Sequence, residues 1–224
     1  MSTFPQPRSS FAATQHQGKI YVLGGHVGQF HDYAKEHFSD AFHVYDEAKD
    51  TWEELTNYKF PVQGLRMIPS GDRIYAFGGF RYESALDYGP NQIMFNWFAR
   101  SSDSVYCYTI SAKRWERIGE MPRRRSSYVT EEIDGKAYLI GGWDGTPRKK
   151  NDIIGRFHSM VDIFDVASAQ FIPSSIVLPS PTRRAFTSTV LDKRVVIACG
   201  LLPSGFHDYD QSVPSSNTNR IDAL

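Results

Sequence analysis

Cysteine is scarce: Cys107 and Cys199 are the only two in 224 residues. That excludes a disulfide framework, and both thiols read as small apolar side chains buried on strands. The same usage favours a reducing compartment, so a cytoplasmic location is expected. No stretch approaches the roughly 18 consecutive apolar residues of a membrane-crossing helix. The opening MSTFPQPRSS lacks the basic and apolar segments of a secretory signal. An excess of one charge is missing too, because 25 basic residues balance 25 acidic ones. A surface that neutralises phosphates needs a basic excess, so neither nucleic acid nor a membrane is an expected partner. The sequence also has no nucleophile elbow, P-loop, dinucleotide fingerprint, HExxH or CxxC. No cofactor and no metal is expected, and no catalytic residue is assigned.

Glycine pairs, aromatics and repetition are what the chain does have. The clearest unit is Arg125 to Gly142, RSSYVTEEIDGKAYLIGG. Tyr128-Val129-Thr130 has strand propensity, Asp134-Gly135 is a two-residue hairpin signal, and Tyr138-Leu139-Ile140 ends on Gly141-Gly142. The unit occurs four times. Gly24-Gly25, Gly78-Gly79, Gly141-Gly142 and Cys199-Gly200 each close an apolar run. Tyr21, Tyr75 and Tyr138 stand three places before the first glycine, with Val196 in the fourth copy. Sixteen places before it stand Arg8, Val62, Arg125 and Arg183. Downstream, one aromatic follows another by seven: Tyr45 and Trp52, Tyr108 and Trp115, Phe164 and Phe171. Asp40, Asp103 and Ser159 lie five before the first of each pair, and the same count from Asn219 puts Leu224 in the fourth copy's aromatic position.

A diglycine, a Tyr and a Trp at a period near 50 residues resemble the kelch repeat, and Met121-Pro122-Arg123-Arg124-Arg125-Ser126-Ser127 strengthens the likeness. The resemblance implies an all-β fold, a kelch-type β-propeller or partial propeller of four-stranded antiparallel blades. The repeats fall at roughly 8–60, 61–121, 122–180 and 181–224 in a single region, the last of them incomplete. Within the first, Ser10 to His16, Lys19 to Leu23, Asp40 to Asp46 and Thr51 to Leu55 are the expected strands. By count, the strand preceding Arg8 and the outermost strand of the fourth repeat are both missing, so a piece of a larger ring, or a partial ring that completes itself with another chain by self-association, is expected.

The copies are spaced widely, and the excess sits after each diglycine: 26–39, 80–102, 143–158 and 201–218. Connections that long are usually functional or disordered. In a four-stranded meander, the link from strand two to strand three emerges at the same end as the link to the next blade. The long loops and Arg8, Arg125 and Arg183 are therefore expected on one face. There the arginines would form a positive ring able to hold an acidic peptide or a carboxylated sugar. The alternative is that each pairs with a neighbouring carboxylate or carbonyl. The loops echo one another: Phe30-His31-Asp32-Tyr33, Leu86-Asp87-Tyr88, Phe157-His158 and Phe206-His207-Asp208-Tyr209. His31, Tyr33, Tyr88, His207 and Tyr209, with Trp97 and Trp143, complete the candidate contact set, because exposed aromatics serve as anchors.

The resemblance implies a protein-interaction module of the adaptor type that binds a protein or peptide segment, with an acidic one among the candidates, although neither a BTB nor an F-box region is recognisable. Its second implication is an enzyme like the kelch-type sialic acid mutarotases, with arginines on the sugar carboxylate and Glu36, Glu83, His31 or His207 moving a proton. A galactose oxidase type of copper site would need a Tyr–Cys crosslink. Tyr106 and Tyr108 flank Cys107, but adjacent strand residues point to opposite faces, which argues against that site.

Overall fold

The computed structural model describes residues 2–28, 35–82, 99–146, 155–179, 182–202 and 221–224. Its regular elements are strands and one short 3-10 helix, Lys35–His37. The first repeat forms an antiparallel meander of β1 (Ala12–His16), β2 (Lys19–Leu23), β3 (Phe42–Asp46) and β4 (Thr51–Glu54). The second contributes β5 (Val62–Gln63), β6 (Arg66–Ser70), β7 (Arg73–Phe77), β8 (Phe80–Tyr82), β9 (Ala99–Ser101), β10 (Ser104–Thr109) and β11 (Arg114–Glu120). The third contributes β12 (Val129–Ile133), β13 (Lys136–Ile140), β14 (Trp143–Asp144), β15 (Arg156–Phe157), β16 (Asp162–Asp165) and β17 (Gln170–Ile172). The fourth has β18 (Thr187–Leu191), β19 (Arg194–Ala198) and β20 (Ile221–Ala223). The blades are β1–β2–β3–β4, β6–β7–β10–β11, β12–β13–β16–β17 and the three-stranded β18–β19–β20.

Each first strand touches the next, β1 on β6, β6 on β12 and β12 on β18, so these four line a common axis. A ladder of backbone hydrogen bonds joins them just ahead of each strand. Gly64 N donates to Ser10 O at 2.8 Å, Ser127 N to Gly64 O at 2.9 Å, and Ala185 N to Ser127 O at 2.8 Å. All four residues have φ between 50° and 63°.

The diglycines make the second joint between blades. Gly25, Gly79 and Gly142 donate their N–H to the carbonyls of Val62, Arg125 and Arg183, the sixteen-before register of the following repeat, at 2.8 to 2.9 Å. A Cβ at Gly78 would lie 2.6 Å from Arg125 O, and one at Gly141 2.9 Å from Arg183 O, so the backbone approach itself requires glycine.

Apolar side chains fill the interfaces between blades. Leu23, Phe42 and Val44 of the first blade meet Met67, Ile74, Tyr106 and Tyr108 of the second. Tyr75, Phe77 and Cys107 meet Leu139 and Phe164 of the third. Val129 and Ile140 meet Val195 and Ile197 of the fourth. Tyr128 secures the second joint by donating its hydroxyl to Phe77 O at 2.8 Å. Burial pushes its pKa up, keeping the phenol protonated.

Cys199 corrects one expectation. Cys107 is buried, but Cys199 is exposed and lies just beyond β19 with φ 63°. It holds the first-glycine register, which the next blade covers in repeats one to three. In the fourth repeat no described blade lies on that side, and the same register is exposed.

Candidate functional site

The long connections are not plain loops. After each diglycine the chain pairs back with the inter-blade segment that leads into its own blade. Ser9 bridges His26, Gln63 pairs with Phe80, Ser126 bridges Trp143, and Arg184 bridges Leu201. The offset is seventeen each time. β8 pairs antiparallel with β9, and β14 with β15, so two-stranded ribbons stand on this end of the blades. Neighbouring hairpins are tied together by Ser101. Its Oγ lies 3.1 Å from both Ser126 Oγ and Trp143 O, and it accepts from Gly145 N at 2.9 Å. Asp144 is buried beneath them and takes Arg156 Nη2 at 2.8 Å and Thr146 N at 3.0 Å.

Of the candidate residues chosen from sequence, Arg8, Arg125, Arg183 and Trp143 are described. His31, Tyr33, Tyr88, Trp97, His207 and Tyr209, together with Glu83, lie outside the described residues. Glu36 is exposed on the 3-10 helix.

The three arginines turn inward. Arg125 and Arg183 are fully buried. Arg125 donates to Gly141 O, to Met160 O at 3.0 Å and to Asp162 Oδ2 at 2.8 Å. Arg183 donates to Cys199 O at 3.3 Å and pairs with Asp222. Arg8 is partly exposed and donates to Gly24 O and Ala41 O at 3.0 Å, to Ser39 Oγ at 3.1 Å and to His43 Nδ1 at 3.0 Å. Each guanidinium thus binds the first-glycine carbonyl of its own blade and the side chain two places before that blade's strand-three aromatic position. His43, Asp162 and Asp222 hold that place, and in the second repeat Val62 and Tyr106 form the corresponding apolar pair. Burial together with the Arg8 charge lowers the His43 pKa, as an acceptor nitrogen facing a cation requires. His158, beside Arg125, is pushed down to about 4, chiefly by burial, and its Nε2 donates to Arg124 O at 2.8 Å as a neutral ring.

A second set packs beneath the hairpins: Phe38, Phe80 and Arg184 are buried, at 5, 7 and 8% exposure, and Trp143 is half-buried against them. Phe38, Phe80, Trp143 and Arg184 form a continuous stripe from the first repeat to the fourth. Phe38 and Phe80 ring centres are 6.3 Å apart, Phe80 and Trp143 5.4 Å, and the Arg184 guanidinium lies 4.8 Å over Trp143. Beside the stripe is a small pocket of about 30 Å³, lined by Gln63, Ser126, Ser127, Phe80, Trp143 and Arg184. Gln63 is 4% exposed, and its Oε1 has no hydrogen-bond partner among the described residues. A buried acceptor left open costs free energy, so this atom is poised for a donor. Gln63, Phe80, Ser126, Ser127 and Arg184 were not on the sequence-derived list. Their signal was present: all but Phe80 and Ser127 immediately follow the sixteen-before register, and neighbours on an extended strand point to opposite sides. Among the described residues, no three His, Cys, Asp or Glu side chains come together to hold a metal ion.

Comparison with known proteins agrees with this geometry. The family profile for the Kelch motif matches residues 7–57 and 66–122. The chain is a kelch-repeat protein. It is 25% identical over 151 residues to Kelch repeat and BTB domain-containing protein 12 of Danio rerio, across 64% of this chain and 23% of that protein. Kelch-like protein 36 of Rattus norvegicus is 26% identical over 144 residues, across 62% of this chain and 21% of that protein. The F-box/kelch-repeat protein SKIP4 of Arabidopsis thaliana is 23% identical over 106 residues, across 46% of this chain and 25% of that protein. This kelch chain therefore spans about a quarter or less of the length of these relatives. Among solved structures, YjhT superposes with a TM-score of 0.66 at 17% identity, covering 88% of this chain and 59% of that one. The likeness to YjhT is one of fold, an all-β kelch propeller of four-stranded antiparallel blades.

Proposed function

We propose that the chain is a protein-interaction module that takes a partner segment across the hairpin face. The observation that carries this reading is the stripe Phe38–Phe80–Trp143–Arg184 beside the open acceptor of Gln63. Trp143 is the half-exposed ring of this stripe and supplies the contact, while the buried Phe38, Phe80 and Arg184 hold it in place from beneath, and such aromatics concentrate binding energy. Gln63 Oε1 would accept from a partner N–H or O–H. His31, Tyr33, Tyr88, Trp97, His207 and Tyr209 are proposed to extend the contact area around the stripe. Arg8, Arg125 and Arg183 would serve the face from below, by fixing the diglycine turns from which the hairpins rise.

A sugar-carboxylate site built on those three arginines is disfavoured by their contacts. Using Arg125 or Arg183 for a ligand would strip Asp162 or Asp222 of a buried partner, a loss of about 3 to 5 kcal/mol.

The test is affinity for a partner isolated with the intact chain, measured by calorimetry. Trp143→Ala and Arg184→Glu should each weaken binding at least about tenfold, as expected of anchor residues. Glu132→Lys, exposed on β12, should leave it unchanged. Undiminished binding by both face variants would refute the proposed face.

A further inference from the structure

The joints between consecutive blades follow one plan, and the joint between the second and third departs from it at one spot. Between the first and second blades, the Trp115 ring lies 5.1 Å from Phe42 and 4.9 Å from Tyr58, and its indole N–H donates to Thr56 O at 3.0 Å. Thr56 Oγ1 reaches across to Lys113 O at 2.7 Å. On the other side of the first blade, Trp52 lies 4.7 Å from Phe4 and donates to Ser2 O at 3.4 Å. An indole with its N–H on a backbone carbonyl thus seals this register twice.

Between the second and third blades, smaller side chains hold the same register. Val105 stands where Phe42 does, two places after the Asp103 that matches Asp40. Gly119 takes the place of Thr56, and in the third repeat Ala169 and Phe171 take those of Lys113 and Trp115. All four replacements line one crevice of about 140 Å³, whose other walls include Ile118 and Phe164. An apolar cavity of roughly 150 Å³ accommodates a benzene ring. Gly119 is the residue that the fold does not explain. It lies inside β11, where glycine weakens a strand. The ladder shifts register here, between Val105 and Tyr106, yet the φ of Gly119 lies outside the left-handed region, and a Cβ there would meet no atom within 4 Å. Neither backbone conformation nor crowding requires glycine, in contrast to Gly78 and Gly141. Its effect is to leave the crevice open, and a glycine within a strand also lets a ligand approach the backbone.

We propose that this crevice is a binding site for an indole or an N–H heterocycle of similar size, either free or carried by a tryptophan of a partner. The filled joints define the chemistry of the occupant. It is aromatic, because Phe164 and Phe171, with ring centres 5.2 Å apart, present ring edges and faces as Tyr108 and Phe42 do to Trp115. It carries an N–H, because Gly119 O holds the place of Thr56 O, and a carbonyl paired within its sheet keeps a second lone pair. It is compact, because the crevice takes one ring and leaves the rest of a bicyclic ligand at the surface. It is neutral, because the charges beside it, Arg117 and Glu120, pair with each other at 2.5 Å. The walls come from strands three and four of the second and third blades and the turn that joins the latter pair. None of them belongs to the stripe at the axis, so this site stands or falls independently of the hairpin face.

The experiment titrates indole into the full 224-residue chain and follows binding by calorimetry. Indole should bind saturably, and N-methylindole, which keeps the ring system and loses the N–H, at least tenfold more weakly. Gly119→Thr and Phe171→Trp each install the side chain found in the first joint. Each should leave the circular dichroism spectrum unchanged and weaken indole binding at least tenfold. Ile20→Thr, at an exposed position on the first blade, should leave binding as it is. N-acetyltryptophanamide separates the two sources. Binding as tight as that of indole assigns a partner's tryptophan, and its rejection while indole still binds assigns a free heterocycle. Absence of saturable binding, equal binding of indole and N-methylindole, or binding indifferent to both crevice variants would overturn the proposal.

Discussion

Arg125 shows how one residue type is put to work in this fold. Its guanidinium is fully buried and is balanced by Asp162, itself 4% exposed and paired on its other oxygen with the partly exposed Arg123. Removing one partner from such a pair leaves the other charged and desolvated. Arg125→Met should therefore destabilise the chain by about 3 to 5 kcal/mol in urea denaturation, and adding Asp162→Leu should restore most of that loss. The second repeat supports the expectation, since Val62 and Tyr106 fill the same two positions without charge. If the double variant were as unstable as the single one, the pair would owe its importance to something other than charge balance.

The register of Arg8, Arg125 and Arg183 was legible from the sequence. So, in principle, was the register of their partners His43, Asp162 and Asp222, two places before the aromatic position. Which way each arginine points was not legible, because direction depends on the carbonyls of Gly24, Gly141 and Cys199, which the fold brings near. Gln63 and Arg184 were hidden for the same reason: they matter because of where a neighbouring blade's hairpin lands.

At the scale of the element, strand four acts as a clamp between blades. Trp115 touches Phe42, Tyr58 and Tyr108, and its indole N–H donates to Thr56 O at 3.0 Å, so one side chain on β11 ties the second blade to the first. The first blade repeats the arrangement with the chain's opening segment: Trp52 lies 4.7 Å from Phe4 and donates to Ser2 O at 3.4 Å. Trp115→Ala should cost about 3 kcal/mol, the lower end for an aromatic truncation, because one edge of the ring meets solvent. Calorimetric melting checks this, and an unchanged melting temperature would remove β11 from the role of clamp.

Strands one to four were readable from alternation and turn residues, and Asp134-Gly135 does make the tight turn, with φ of 51° and 73°. The hairpins β8–β9 and β14–β15 were not readable. Their first residues, Phe80 and Trp143, are ordered by pairing with Gln63 and Ser126, contacts between segments that local pattern does not encode. Cys199 belongs with them: its exposure follows from the absence of a blade against it in this structure.

Among the described residues, the segments that flank the elaborated connections pair at one end of the blades, and the tight hairpin turns stand at the other. The account rests on the hairpin end being the working end. Hydrogen–deuterium exchange of the chain with and without its bound partner measures this most directly. The account predicts slowed exchange at 80–82, 99–101, 143–146 and 155–158, and no change at the turns 17–19, 71–73, 134–136 and 192–194. Protection confined to those turns, with the hairpin end unaffected, would contradict it.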